Sequence, residues 1–395
     1  MSLTVNDVAV VIPTRDRADL TINAIRSVLS YAGKDLRLLV SDNSTNETDL
    51  QILARFCGDL SDTRLTYLRP PQSLRMTEHW QWAMEQALQL SDSSHYIYLT
   101  DRSMFKPGEL ATVIDLARQH PDQVITYDWV TIFDHLNPIF VEERGHTGRR
   151  IPVSARRLLD LTSHSLIPNC LPRMMNNCSP RAVIEKIIQT FGNVFASISP
   201  DYNFCYRCLE VVDEILFYDA AAYVSYAIPR SNGVSAVGMA TAATEDFDSH
   251  LNLVNQSRSF ATPEPGFETP VNYALHEYCL VKAQSQSSKF PELDLDEYFT
   301  RNASEAAVNQ NPNLRKEMKA LLKAHGHSQP VKRRLGELRG SLSLRTRAKK
   351  LMRFEWPTIQ TQVGPFATVE EAINYANSVP QVDESAAYHL RMLED

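Results

Sequence analysis

The sequence lacks the long apolar runs of a membrane protein. None of its stretches approaches the roughly 20 consecutive apolar residues that a membrane span requires. The opening segment, MSLTVNDVAVV, has neither the basic region nor the cleavage site of a signal peptide. Apolar residues make up 43% and charged residues 22% of the chain, which is typical of a globular protein. We therefore expect a cytoplasmic protein.

Cysteine is also scarce, with 6 residues among 395, too few for a disulfide scaffold. One pair, Cys205 and Cys208, has C-x-x-C spacing. A zinc site would need paired knuckles with turn residues. This pair instead lies in a helical pattern, on the face that carries Phe204, Leu209 and Val212. We interpret both thiols as buried structural cysteines.

Negative charge is in excess overall, but it is unevenly distributed. The net charge is −7, yet residues 313–353 hold 13 lysines and arginines against two glutamates, a local charge of +11. Such segregation indicates an anionic partner, such as a lipid surface or an acidic glycan. The alternative is a solvated helical face that pairs with the protein's own acidic surface. The segment lacks interleaved aromatic residues, so we do not expect it to bind nucleic acid.

Strand-like and helix-like segments alternate along the first 130 residues. The β-branched run 8–12 is typical of a strand covered on both faces, and Pro13 is expected to end it. Amphipathic helical patterns with short connections separate it from further strand-like runs. This order predicts an α/β fold, with a Rossmann-like, mostly parallel sheet flanked by helices.

Polar clusters follow three of these strands, at residues 14–17, 41–45 and 101–103. Ligands bind at the carboxyl ends of the strands in an open parallel sheet. We therefore expect the three clusters to share one crevice that holds an anionic ligand. Beyond about residue 238 the sequence becomes rich in Ala, Ser and Thr, which predicts an N-terminal domain at 1–238 and a mainly helical C-terminal region at 239–395.

The segments VVIPTRDR, AIRSVL, LLVSDNSTNETD and YIYLTDRSMFKPGEL together resemble the family 2 nucleotide-sugar glycosyltransferases. The resemblance covers residues 7–115 well and 116–235 loosely. It implies a GT-A fold and the inverting transfer of a sugar from a nucleotide diphosphate sugar, UDP- or TDP-linked. The implied acceptor is a glycan or a lipid-linked molecule in polysaccharide biosynthesis.

Five donor-binding residues are implied by this resemblance. Pro13, Thr14 and Arg15 would line the nucleotide pocket. Asp42 would accept a hydrogen bond from the pyrimidine ring, although Asp-Asn-Ser-Thr is also good turn chemistry. Arg75 would contact the diphosphate, or else is a solvated arginine that precedes a helix.

The usual Asp-x-Asp motif is degenerate here, because it reads Asp101-Arg102-Ser103. A divalent cation, Mg²⁺ or Mn²⁺, bound by Asp101 together with phosphate oxygens and water is one interpretation. The other is that Arg102 neutralises the diphosphate directly, since guanidinium pairs bidentately with phosphate. The single carboxylate puts the need for a metal in question.

The general base of the family is an acidic residue well after the Asp-x-Asp motif. Asp201 is the candidate, although Pro200 stands where the family usually has glutamate. The alternative is a first-turn aspartate that the helix dipole stabilises.

Two other functions compete with transfer. One is a catalytically silent GT-A domain that binds nucleotide-sugar or scaffolds a glycan-assembly complex, which the degenerate motif favours. A nucleotidyltransferase is disfavoured, because no glycine-rich loop with a basic residue follows the first strand. The expected location is cytoplasmic, either free or peripheral at the inner face of the membrane through residues 313–353.

Overall fold

The structure is a computed structural model that describes residues 8–230, 260–264, 269–308, 312–324, 326–333, 360–378, 390 and 392–393. The chain divides into two compact units. The first comprises Met1–Ala155, Asn169–Ile228 and Ile359–Glu394, and the second comprises Arg156–Pro168, Pro229–Thr358 and Asp395. The predicted domain boundary near 238 and residues 334–353 of the basic segment lie outside the described residues.

Strands and helices alternate in the first 120 residues, as the sequence predicts. They are β1 (Val8–Thr14), α1 (Ala18–Leu29), β2 (Leu36–Asp42), α2 (Glu47–Asp59), β3 (Leu65–Leu68), α3 (Met76–Leu90), β4 (His95–Tyr98), β5 (Ser103–Phe105) and α4 (Glu109–Gln119).

The second half of the first unit has more antiparallel pairing. Its elements are β6 (Val124–Phe133), β7 (Ile139–Arg144), β8 (Arg150–Ser154), β9 (Asn177–Pro180), α6 (Arg181–Phe191), α7 (Pro200–Val211) and β10 (Glu214–Ser225). Helix α5 (Ala155–Ser163) follows β8 in the chain and, from Arg156 on, belongs to the second unit. They are followed by α8 (Pro270–Gln284), α9 (Leu295–Val308), α10 (Pro312–Ala324), β11 (Gln360–Phe366) and α11 (Val369–Ser378). Among the described residues, no helix is long and apolar enough to cross a bilayer.

All the strands belong to one mixed sheet, whose main path runs β11-β7-β6-β9-β4-β1-β2-β3. The β4-β1-β2-β3 part is parallel, and β10 lies parallel to β6 and antiparallel to β5 and β8. The predicted α/β class, with helices packed on a Rossmann-like sheet and a helical C-terminal region, is confirmed. The parallel part brings the ends of β1, β2 and β4 to the same edge.

Strand β1 extends two residues beyond its expected end, because Pro13 and Thr14 stay in register with Ser41 and Asp42 of β2. The missing N–H of Pro13 causes no loss here. Neighbouring residues of a strand direct their backbone groups to opposite sides, and Pro13 shares the side of Val11, whose carbonyl accepts the Leu99 N–H from the β4 chain. Strand β4 ends at Tyr98, so it offers no carbonyl to which residue 13 would have to donate an N–H.

The apolar core forms on both faces of this sheet. Val10, Ile12 and Val40 are fully buried, as are Ile25 and Val28 on the inner face of α1. Cys205 and Cys208 are buried in α7, as the sequence predicts, and burial raises the pKa of Cys208 to about 12. The buried packing of β1 against α1 fixes the position of the β1 edge, on which the polar clusters lie.

Candidate functional site

The first two polar clusters lie side by side at the ends of β1 and β2. Thr14 is directly opposite Asp42, and the Asn43 N–H donates to the Thr14 carbonyl over 2.9 Å. Asp16 joins the two loops, since its carboxylate accepts from the backbone N–H groups of Thr45 and Asn46 at 2.8 and 2.7 Å. Burial alone would raise the pKa of Asp16, but these hydrogen bonds outweigh it and lower the pKa.

The third cluster joins through Asp101, which is 5% exposed. The Thr14 hydroxyl donates to Asp101 Oδ2 over 3.1 Å, and Arg17 Nη1 lies 3.4 Å from Asp101 Oδ1. The structure therefore brings the ends of β1 and β4 together as the sequence predicts. It also adds Arg17, to which the sequence analysis gave no separate role.

The side chains around Asp101 do not fit the two-carboxylate cation site of the family. One Asp101 oxygen accepts from Thr14 and the other faces the guanidinium of Arg17. The hydroxyl of Ser103, in place of the second carboxylate, is hydrogen-bonded to that of Thr100 at 2.7 Å. In the part of the chain that the structure describes, no three His, Cys, Asp or Glu side chains cluster to hold a metal ion. The positive charge beside Asp101 comes from an arginine.

Arg102 faces away from the polar strand ends. Its Nη1 donates to Ser225 Oγ over 2.7 Å and to the Tyr226 carbonyl over 3.3 Å, at the end of β10. Burial lowers the pKa of Arg102, partly opposed by the charge of Asp101. Of the two arginines in this region, Arg17 is the one in direct contact with Asp101.

Asp42 is fully buried, and both of its carboxylate oxygens are engaged. One accepts the Ser44 N–H at 2.9 Å, and the other accepts the Tyr67 hydroxyl at 2.7 Å. The first contact is the turn chemistry that the sequence analysis kept as an alternative. Each Asp42 oxygen accepts one hydrogen bond here and has a second lone pair, so the Tyr67 bond does not prevent a further hydrogen bond from a ring N–H.

The remaining predicted donor residues differ in exposure. Pro13 is buried in β1. Arg15 lies beside it, with Nε 3.5 Å from Asp16 Oδ2 and without a hydrogen-bond partner among the described residues. The Arg75 side chain is 48% exposed at the start of α3, where it pairs with Glu78 at 3.8 Å. The structure groups Arg15 with Thr14 and leaves Arg75 on the surface.

Asp201 lies in the first turn of α7, directly after Pro200. Burial raises its pKa, while the charge of Arg173 and nearby backbone N–H groups oppose the rise. A carboxylate with a raised pKa is a stronger proton acceptor than an exposed one. These properties fit a general base, although the position in the helix also fits the dipole interpretation.

The sequence analysis missed an aromatic group beside Asp201, which we call the indole cluster: Trp129, Arg144, Arg173, Tyr202 and Tyr223. The rings of Trp129 and Tyr223, paired in the β6–β10 register, are stacked with centroids 5.9 Å apart. Cζ of Arg173 lies 4.4 Å from the Trp129 ring centroid and 5.5 Å from that of Tyr202. Cζ of Arg144 lies 5.7 Å from Trp129.

A group of buried ionisable side chains around Asp128 lies next to this cluster. Asp128 precedes Trp129 in β6, and its carboxylate lies 3.1 Å from His146 Nε2, 3.5 Å from Arg144 Nη1 and 2.9 Å from Asn169 Nδ2. Burial would raise the pKa of Asp128, but the charge of Arg144 and the His146 hydrogen bond hold it well below its usual range. An acidic residue inside a buried strand was the one signal in the sequence that pointed to this group.

Tyr223 of β10 lies between the two groups, because it is paired with Phe105 of β5 and with Trp129 of β6. Burial raises its pKa, and the charged groups that act on it are Arg173, Asp128, Arg102 and Asp201. The charge of Asp101 in turn raises the pKa of Arg102, and that of Arg17 lowers it. The polar strand ends around Thr14, Arg17 and Asp101 and the group around Asp201 and the indole cluster are named for the roles proposed below, as the donor end and the acceptor end. We use these two names below.

Comparison with known proteins finds a family match for the segment that contains Thr14, Arg17 and Asp101. Residues 9–176 match the sequence model of the family described as "Glycosyl transferase family 2". Among solved structures, S. aureus TarS is 14% identical, with a TM-score of 0.41, over 64% of this chain and 44% of that one. TarS 1–349 is 13% identical, with a TM-score of 0.44, over 80% of this chain and 92% of that one. The structure of the same fragment in complex with UDP-GlcNAc is 13% identical, with a TM-score of 0.43, over 62% of this chain and 70% of that one.

Proposed function

Residues 9–176 belong to glycosyl transferase family 2, and from this premise we propose that the chain transfers a sugar from a nucleotide diphosphate sugar to an acceptor hydroxyl. The donor is UDP- or TDP-linked, the acceptor is a glycan or a lipid-linked molecule, and the configuration inverts. The observation that carries the proposal is the contact of Thr14, Arg17 and Asp101 where three parallel strands end.

At the donor end, the chain offers cationic groups to an anionic ligand. Arg17 is held in place by Asp101, and the buried Nε of Arg15 has no hydrogen-bond partner among the described residues. Guanidinium groups match phosphate oxygens bidentately. Pro13 and Thr14 shape the pocket beside them, Asp42 reads the base, and Arg75 reaches the diphosphate from the surface.

At the acceptor end, Asp201 accepts the proton of the attacking hydroxyl. Inversion needs one base on the side opposite the leaving diphosphate, and the transition state resembles an oxocarbenium ion. Asp201 must be ionised to act, so the acid limb of the rate profile should lie above pH 3.8, the ordinary pKa of aspartate. Negative charge at Asp201 also favours the developing positive charge on the sugar.

A catalytically silent domain that binds nucleotide-sugar, or scaffolds a glycan-assembly complex, is the second candidate. The observation in its favour is that Asp101 and Asp42 already use their oxygens on internal donors. Such a domain would bind nucleotide but would not hydrolyse the donor. In both proposals the basic segment 313–353 serves as a peripheral contact with an anionic surface.

Calorimetry of the full chain with UDP, TDP, GDP and CDP tests the donor site. We expect UDP or TDP to bind, and replacement of Arg17 by methionine to weaken binding. Arg55→Met is the matched control, because Arg55 is exposed on α2. Donor hydrolysis with UDP-sugars then separates the enzyme from the silent domain. If the folded protein binds none of the four nucleotides, the transferase and the silent nucleotide-sugar-binding domain are both wrong, and only the scaffold remains.

A further inference from the structure

Arg173 is held in place by aromatic side chains. Its guanidinium packs against the rings of Trp129 and Tyr202, and Trp129 is itself stacked on Tyr223. Contacts of this kind use the flat face of a guanidinium, whereas its N–H donors point outward in the plane. The rings therefore fix the position of the cation and leave its edge for a hydrogen-bonding partner.

The donors of Arg173 are largely unused within the described residues. A guanidinium has five N–H groups. The contact that the structure shows is from Nη1 to the Tyr202 hydroxyl at 3.3 Å, while the buried Nε has no partner. Arg144, on the same indole, instead pairs with Asp128 at 3.5 Å and Glu142 at 4.0 Å. Within the described part of the chain, Arg173 has no carboxylate within 4.0 Å.

Neutralising Asp201 does not account for this arrangement. The two charges are close enough for Arg173 to lower the pKa of Asp201 against the effect of burial. Even so, they do not form a direct ion pair. An arginine whose purpose was to pair with Asp201 would form the short bidentate contact that arginine and carboxylate favour. A cation fixed near a base, with an unpartnered buried N–H, is instead suited to an anion that is brought by a ligand.

We propose that Arg173 binds an oxyanion carried by the acceptor, either a phosphate ester or a carboxylate. Both have the planar pair of oxygens that matches the guanidinium edge. We assign this site to the acceptor because Arg173 contacts Tyr202, the residue that follows Asp201, whereas Arg17 lies at the Asp101 end. This inference deepens the proposed function and rests on it for the identity of the two substrates.

The test uses small anionic probes on the full chain. Glycerol 3-phosphate, glucuronate and their neutral counterparts, glycerol and glucose, are titrated by NMR with and without saturating UDP. We expect at least one anion to bind with UDP present while the neutral probes do not. Arg173→Gln should weaken that binding roughly 10- to 100-fold, the loss expected for charge-assisted hydrogen bonds. The anion that binds more tightly identifies the source of the oxyanion.

Two further variants keep the test decisive. Arg55→Gln removes an exposed charge on α2 and should leave anion binding unchanged. Arg173→Lys keeps the charge but loses the planar fork, so it should weaken binding less than Arg173→Gln, and it replaces that variant if glutamine prevents folding. Equal binding of anionic and neutral probes, or equal binding by wild type and both Arg173 variants, would overturn the inference. If UDP binds but neither anion does, this inference alone is wrong. If an anion binds in an Arg173-dependent way but UDP does not bind, the proposed donor is wrong.

Discussion

The two carboxylates at the donor end, Asp42 and Asp101, differ from Arg173 and Asp201 at the acceptor end in how fully they are paired. At the donor end, Asp42 and Asp101 have internal donors on both oxygens. At the acceptor end, Arg173 has an unpartnered buried N–H, and Asp201 has a raised pKa. Paired charges stabilise the fold and hold neighbouring groups in position, whereas unpaired ones are available to a ligand. On this difference rests our proposal that the carboxylates at the donor end position Arg17, while Arg173 and Asp201 at the acceptor end contact the substrate.

The largest expected effect is at Asp201. Asp201→Asn keeps the size of the side chain and removes the proton acceptor, so turnover should fall by about 10²–10⁴-fold with UDP affinity nearly unchanged. The acid limb of the pH–rate profile should vanish with it. Donor hydrolysis, which needs no known acceptor, and calorimetry measure the two quantities. If Asp201 serves only the helix dipole, hydrolysis stays normal and stability falls by about 0.3–1 kcal/mol.

Asp128 provides the second test, because it is a fully paired carboxylate at the acceptor end. Asp128→Asn removes the nearer counter-charge of Arg144 and leaves it only Glu142 at 4.0 Å, so it should lower the free energy of unfolding by about 3–5 kcal/mol. Asp59→Asn, at an exposed position on α2, is the control. Urea unfolding at neutral pH measures both. A loss no larger than that of the control would mean that Asp128 is not a supporting ion.

The same residue predicts a pH dependence of stability. The folded-state pKa of Asp128 is depressed, so its contribution is fully present above the ordinary value of 3.8 and is lost as the pH falls below it. The wild-type free energy of unfolding should therefore decline below about pH 4, and more steeply than that of Asp128→Asn. Parallel declines in the two proteins would contradict this assignment.

Arg17 tests whether the donor end uses an arginine where the family uses a metal. Arg17→Met should weaken UDP binding by about 1.5–3 kcal/mol, the size of a charged hydrogen bond, while EDTA should have a modest effect. Arg102→Ala should weaken UDP binding less than Arg17→Met does, because the Arg102 guanidinium donates to Ser225. Calorimetry with and without EDTA measures the UDP affinity of each variant. If EDTA abolishes binding, a cation is required; if Arg102→Ala costs more than Arg17→Met, Arg102 is the diphosphate ligand.

The smallest effect concerns Asp42. Tyr67→Phe removes one of its two hydrogen bonds and should lower the free energy of unfolding by about 0.5–1.5 kcal/mol without weakening UDP binding. Asp42→Ala should in addition weaken UDP binding, if Asp42 reads the base. Thermal melting and calorimetry on both variants make the comparison. Equal UDP affinity in the two variants would leave Asp42 as a turn residue.

Much of the donor end could be predicted from local sequence. The β-branched run of β1 and the polar residues after β1, β2 and β4 indicate a parallel sheet whose strand ends meet, and the contact of Thr14 with Asp101 confirms that they do. The family resemblance in the first half of the chain is confirmed by the match over residues 9–176. Arg17 was overlooked, since the register of a loop arginine against Asp101 depends on how the two strands are paired.

By itself, the sequence determined the alternation of strands and helices, the edge at which the polar groups gather, and the loss of the second carboxylate at Ser103. These follow from the period of apolar residues and from residue identity, which are local properties. The tertiary structure alone decided which arginine faces Asp101, and it alone assembled the indole cluster. Trp129, Arg173 and Tyr223 come from β6, the segment before β9, and β10. Contacts between segments so far apart in the chain depend on sheet order, which no local pattern encodes.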